Sequence, residues 1–217
     1  MGGDTCTVTI IGGKTNAGNY TATASGLSNS NYKLPEVKAQ AFTIAKADID
    51  STAITTPAAK TLTYDGTSQE LVTAGTAIGG TMQYALGNAT AATEHYTTSI
   101  PTATDAGTYY IWYKAVGDPN HNDTGTDHVT ATIGKAKAAI TTLPAAQTLT
   151  CNQQPQALVI AGTAGEGGRL VYSTDGANYS EAIPKGTQAG TYEVWFKAQA
   201  TDDNHFDGDA VKLIVTI

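Results

Sequence analysis

Across residues 108–115 apolar and polar positions alternate. Tyr109, Ile111, Tyr113 and Ala115 fall on one face of an extended segment, and Thr108, Tyr110, Trp112 and Lys114 fall on the other. The alternation returns at residues 191–198, where Tyr192, Val194, Phe196 and Ala198 stand against Thr191, Glu193, Trp195 and Lys197. Glu193 and Lys197 mark the second face as the solvent side, so the first is the expected core face in both places. A period of two carried by β-branched and aromatic residues predicts strands rather than helices. Shorter apolar runs at residues 60–64, 69–74, 81–86 and 129–133, broken by Asp65-Gly66 and Gly79-Gly80, predict further strands. Residues 147–151, 157–161, 169–173 and 212–217 repeat that order. Tyr172-Ser173-Thr174-Asp175-Gly176 reads as a strand entering a hairpin turn, because Asp-Gly accommodates the positive φ such turns require. Only residues 88–95 are a candidate helical turn.

The two alternating strands belong to a longer repeat. Thr104-Asp105-Ala106-Gly107-Thr108-Tyr109 returns as Thr187-Gln188-Ala189-Gly190-Thr191-Tyr192 and more faintly as Asn16-Ala17-Gly18-Asn19-Tyr20. One constant offset carries Ala17 onto Ala106, Tyr20 onto Tyr109, Ile44 onto Ile133 and Lys46 onto Lys135. Between the second and third copies small insertions fall in loops. The first copy lacks any counterpart of residues 54–92. The expected organisation is therefore a partial repeat over residues 1–46, holding the last three strands of a unit, followed by complete repeats over 47–136 and 137–217. Val8, Ile10, Tyr20, Phe42 and Ile44 then need cover that the missing half would have given them. The linkers Ile44-Ala45-Lys46-Ala47 and Ile133-Gly134-Lys135-Ala136 run almost directly into the next unit, which predicts a semi-rigid, elongated array.

Composition narrows the function classes. Net charge is −7 and Arg169 is the single arginine, so a nucleic-acid partner has no electrostatic footprint to meet. No stretch is apolar enough over enough residues to suggest membrane insertion. Cys6 and Cys151 occupy non-equivalent places in different copies, which predicts two free thiols, one of them buried, rather than a bridge. The opening Met1-Gly2-Gly3-Asp4-Thr5 is too short and polar to read as a signal peptide. With the partial repeat, it suggests an excised piece of a longer protein.

Asp105-Ala106-Gly107-Thr108-Tyr109 resembles the Asp-x-Gly-x-Tyr phrase of immunoglobulin-like domains, whose tyrosine ties a strand to the preceding loop. Tyr20 and Tyr192 match the same place. Where antibody domains carry a cysteine two residues on, this chain has Ala22, Ile111 and Val194, and no tryptophan lies on the candidate third strand. It is similar to a disulfide-free bacterial variant. Leu62-Thr63-Tyr64-Asp65-Gly66, Gly117-Asp118-Pro119-Asn120-His121-Asn122-Asp123 and Gly26-Leu27-Ser28-Asn29-Ser30-Asn31-Tyr32-Lys33-Leu34-Pro35, taken in order, resemble tandem repeats of large adhesin-like surface proteins of gut bacteria. That resemblance covers nearly the whole chain. It implies an all-β fold of tandem immunoglobulin-like β-sandwich modules, an extracellular place on the bacterial cell surface or cell wall, and a stalk or adhesive role without catalytic residues.

Tyr110, Trp112 and Trp195 are the candidate binding residues, since aromatics opposite the core can stack on sugar rings or anchor a host protein. The competing reading lays each indole across a neighbouring strand, shielded by the stem of Lys114 or Lys197. Asn120-His121-Asn122-Asp123 and Asn204-His205-Phe206-Asp207 cluster oxygens, as do Asp202, Asp203 and Asp209, yet they lack ordered calcium-loop spacing and read as turn chemistry. His121 and His205 align with Tyr32, which favours packing over metal ligation. An outward Lys114 and Lys197 would not form an intramolecular bond to asparagine. No convergent set of titratable groups and no Gly-x-Ser-x-Gly turn is present, so no catalytic residue, metal or cofactor is expected. The expected function is a non-catalytic spacer holding a distal adhesive or enzymatic domain away from the cell wall, with neighbouring repeats as its partners. The alternative is a module binding glycans or host proteins through its outward aromatics.

Overall fold

The computed structural model describes residues 5–217, and residues 1–4 of the opening Met1-Gly2-Gly3-Asp4-Thr5 lie outside the described residues. The chain is all-β. Among the described residues the helical content is one 3-10 turn, Ser51–Ala53, started by Asp50, whose carboxylate accepts the Thr52 N–H at 2.8 Å. The turn expected at residues 88–95 is not helical. Asn88 Oδ1 accepts the N–H groups of Thr90 and Ala91 at 2.8 and 3.0 Å, and this side-chain cap gives a local turn in place of a helical one.

Two compact units are present, one from Met1–Ala58, Val72–Pro101 and Tyr110–Val129, the other from Ala59–Leu71, Thr102–Tyr109 and Thr130–Ile217. In the first, Val8–Ile11, Gly18–Leu27 and Ala39–Ile44 form an antiparallel sheet with Gly18–Leu27 central. Tyr20 stands opposite Phe42, their ring centres 5.8 Å apart, and these two with Ile44 are half-buried. Val8 and Ile10 remain 50% and 60% exposed, on an edge strand whose register shifts between Thr9 and Ile10. The same unit pairs Gly80–Gly87 antiparallel with residues 110–117 of the strand Gly107–Gly117. Ile111 and Ala115 are buried as the alternation requires, while Tyr113 on the same face is half-buried.

In the second unit Thr61–Thr63 runs parallel to residues 132–134, the end of the strand Asp127–Gly134. Residues 168–216 hold a three-stranded antiparallel sheet of Gly168–Ser173, Thr191–Ala200 and Val211–Thr216, with Thr191–Ala200 in the middle. Short pairs complete it: Ala145–Ala146 with Val159–Ile160, and Gln156–Ala157 with Lys185–Gly186. Leu158 and Val159 from this second layer pack on Tyr172, Val194, Phe196 and Val215 of the sheet in one core. Two sheet layers enclosing one apolar core are an immunoglobulin-like β-sandwich.

Two expectations fail here. Residues 147–151 form no strand. The equivalent stretch Thr61–Thr63 is a strand through its pairing with residues 132–134, whereas residues 147–151 have no such partner among the described residues; the bond from Gln156 Nε2 to the Thr150 carbonyl at 3.0 Å is shared by both, as Gln69 to Thr63. Cys151 is consequently exposed and Cys6 is half-buried, so both thiols are free but neither is buried.

Candidate functional sites on the sheet faces and at the repeat junctions

The outward aromatics are only half-buried, but their surroundings differ. Trp112 donates its Nε1–H to the Asn88 carbonyl at 2.8 Å, and its ring lies 4.8 Å from that of His128. Tyr110 approaches the same imidazole at 5.7 Å, so His128, which the alternation did not single out, joins Tyr110 and Trp112 in one aromatic cluster. Gly87 lies directly against this indole: a Cβ there would meet Trp112 Cδ1 at 2.6 Å. Trp195 belongs to no such cluster. The Gly176 turn lies against its ring, where a Cβ would sit 3.3 Å from Cε2, and Lys212 Nζ stands 5.2 Å from its centre. The shielding lysine is thus Lys212 rather than Lys197, because strand pairing sets Lys212 opposite Trp195. Lys114 turns to the Tyr96 ring at 5.1 Å, and Lys197 pairs with Asp207 at 2.7 Å while covering Tyr179. Such contacts contribute about 0.5–1 kcal/mol each at exposed sites.

The repeated tyrosines do close the preceding loops. Tyr109 Oη donates to the Asp105 carbonyl at 2.7 Å and Tyr192 Oη to the Gln188 carbonyl at 2.8 Å, each four residues back. In the partial repeat the bond moves by one residue, with Tyr20 Oη donating to Ala17 at 3.3 Å. The loop so fixed presents its alanine N–H outward.

Those alanines meet a second recurring element. In Asp118-Pro119-Asn120-His121 the Asp118 carboxylate accepts the Asn120 N–H at 2.8 Å and bonds His121 Nδ1 at 2.7 Å. Asp202 treats Asn204 and His205 alike, at 3.0 and 2.8 Å. Within its own repeat each imidazole lies against a left-handed glycine, His121 on Gly79 and His205 on Gly167, with φ of 85° and 66°; a Cβ at either would overlap the ring. The asparagine is left pointing at the preceding repeat. Ala17 N–H donates to Asn120 Oδ1 at 2.8 Å, while Asn120 Nδ2 donates to Asn16 Oδ1 at 3.3 Å. Ala106 N–H donates to Asn204 Oδ1 at 2.7 Å, while Asn204 Nδ2 donates to Asp105 Oδ1 at 3.1 Å. One carboxamide therefore gives and receives a hydrogen bond at each junction.

The linkers lock the same geometry. Ala47 N–H donates to the Asn120 carbonyl and Ala136 N–H to that of Asn204, both at 2.9 Å. Each linker then runs parallel to its turn, Ala47 beside His121 and Ala136–Lys137 beside His205–Phe206. Lys46 Nζ adds a bond to the His121 carbonyl at 3.1 Å. Tyr64 packs edge-on against His205, ring centres 5.2 Å apart. Hydrogen bonds from the histidines hold the Asp118 and Asp202 carboxyls below the ordinary aspartate value. From sequence Asn120 and Asn204 read as turn formers; the signal that marks them is their fixed place before His121 and His205, echoed by Asn31 before Tyr32. Among the described residues no cluster of three or more His, Cys, Asp or Glu side chains could hold a metal ion.

No protein-family model matches the chain, and no curated protein matches it significantly. Among solved structures, the fibronectin(III)-like modules of CbhA from Clostridium thermocellum align over 76% of this chain and 92% of theirs, at 15% identity and a TM-score of 0.30. A likeness that slight carries no argument, and the sandwich stands on the pairing and burial described above.

Proposed function

We propose that this chain is a non-catalytic spacer segment of a bacterial cell-surface protein, holding a distal adhesive or enzymatic domain away from the cell wall. The observation that carries the reading is the junction contact made twice: Asn120 on Asn16-Ala17 and Asn204 on Asp105-Ala106, each backed by a parallel linker. A spacer needs its modules to hold direction, and directional hydrogen bonds at each junction serve that need better than a flexible tether. The resemblance to adhesin-like repeats supports the extracellular setting. Within this reading, residues 1–46, 47–136 and 137–217 are successive repeats.

The surroundings of Trp112 and Trp195 favour the spacer over the glycan- or host-protein-binding alternative. The Trp112 indole has spent its only donor on Asn88 and one face on His128, and Trp195 is flanked by Gly176 and Lys212. Two measurements test the proposal. Small-angle scattering should fit a narrow range of inter-repeat angles for the wild type and a broader one for the double variant Asn120→Ala/Asn204→Ala; a wild type already as broad would sink it. A glycan and mucin panel should show no signal dependent on Trp112, and binding lost in Trp112→Ala would favour the alternative.

A further inference from the structure

The third repeat carries a copy of the loop that receives the asparagine, and we infer that Gln188-Ala189 is a docking site for the Asp-x-Asn-His turn of a further repeat of this kind. The inference stands on the two occupied junctions and does not depend on what the array is for. At those junctions the receiving pair is an accepting side-chain oxygen, the amide oxygen of Asn16 or a carboxylate oxygen of Asp105, next to an alanine N–H, from Ala17 or Ala106. Gln188 supplies an amide oxygen, as Asn16 does, and Ala189 the same N–H. Its backbone is held alike: Tyr192 Oη donates to the Gln188 carbonyl at 2.8 Å, and Gly190 exchanges two hydrogen bonds with Ile217, at 3.0 and 3.1 Å. Ala17 and Ala106 are half-buried, whereas Ala189 is exposed and its N–H has no hydrogen-bond partner among the described residues.

A second position agrees. Tyr64, which packs against His205, is replaced in the third repeat by Cys151, whose exposed thiol lies 3.7 Å from the Thr187 carbonyl. The partial repeat keeps part of that turn: Asn29 Oδ1 accepts the Asn31 N–H at 2.9 Å, as Asp118 and Asp202 do for their asparagines, with Tyr32 in place of the histidine. A carboxamide suits the site because it can accept from Ala189 and donate to Gln188 at once. A carboxylate could only accept, and an ammonium could only donate.

The test extends the full chain by a second copy of residues 134–217 after Ile217 and follows the Ala189 amide by hydrogen exchange. Exchange should slow about tenfold, the effect of one net hydrogen bond. It should return to the unextended rate when Asn204→Ala is made in the appended copy alone, and Gln188→Ala should remove part of the effect. Labelling of the Cys151 thiol, read by mass spectrometry, should slow in parallel. The Val194 amides of both copies report whether each repeat is folded. A folded extension that leaves Ala189 and Cys151 unprotected overturns the inference, and so does protection that survives the appended Asn204→Ala. A concentration-dependent Ala189 shift in the unextended chain, abolished by Asn31→Ala, would instead assign the site to self-association and overturn the commitment to a following repeat.

Discussion

At the residue scale, the consequential side chains are polar ones that close a turn or reach another part of the chain, as Asn204 reaches Asp105 and Ala106. Each hydrogen bond of the Asn204 carboxamide is expected to contribute about 0.5–1.5 kcal/mol, so Asn204→Ala should lower the urea midpoint of the second unit while leaving its near-UV spectrum intact. Tyr192→Phe removes one hydroxyl bond and should cost about 1 kcal/mol by the same measurement. Asp175 sets a pH dependence of definite sign. The Asn178 N–H, the Ser173 hydroxyl, the Asn178 side chain and the Ala177 N–H all donate to its carboxylate, and together they depress its pKa far below the ordinary aspartate value. A depressed folded pKa stabilises the hairpin above the unfolded value of about 3.9 and withdraws that stability as pH falls through the folded one. The wild-type thermal midpoint should therefore drop on acidification from about pH 5, and Asp175→Asn should flatten the drop. The corner tyrosines were legible in the sequence because their phrase repeats. The junction asparagines were not, since Asn, Asp and Gly are ordinary in turns and residue type alone does not say whether a carboxamide bonds its own loop or another repeat.

At the scale of elements, legibility followed length. The strands Gly80–Gly87, Gly107–Gly117, Thr191–Ala200 and Val211–Thr216 carry enough alternating positions to fix their inner faces, and Ile111, Val194 and Phe196 lie where that alternation puts them. The two-residue ladders are different. Ala145–Ala146 and Gln156–Ala157 have too few positions to show a period, and they are bounded by side-chain caps such as Gln156 on Thr150. The same logic separates two leucines of the third repeat. Leu158 lies between short ladders, fully buried in the core, whereas Leu143 is 64% exposed. Leu158→Ala is expected to cost about 2–5 kcal/mol and Leu143→Ala within about 0.5 kcal/mol, measured by chemical denaturation. Similar costs for the two would mean that the second layer does not close on the sheet.

For the whole molecule, unequal burial implies unequal stability. The third repeat has its own core, with Val194 and Leu158 fully buried, while the partial repeat leaves Val8, Ile10 and Ile11 at least half exposed on an edge strand. Local opening tracks such differences, because regions with little buried apolar surface open without global unfolding. Amides of Val8–Ile11 should therefore exchange fastest, those of Gly18–Leu27 more slowly, and those of Thr191–Ala200 slowest. The partial repeat is also tethered by its occupied junction, where Ala17 meets Asn120 and Lys46 meets the His121 carbonyl. Asn120→Ala should then speed exchange across Gly18–Leu27 and Ala39–Ile44 while the amide of Val194 is unchanged. If the variant moved both regions equally, the junction would be part of one global unfolding event. If residues 5–46 already exchanged like an unfolded peptide in the wild type, the partial repeat would have no stable fold for the junction to hold. The expected result lies between these: a sheet with too little core to be stable alone, retained because the Asn120 carboxamide grips its loop while Lys46 and Ala47 hold the linker.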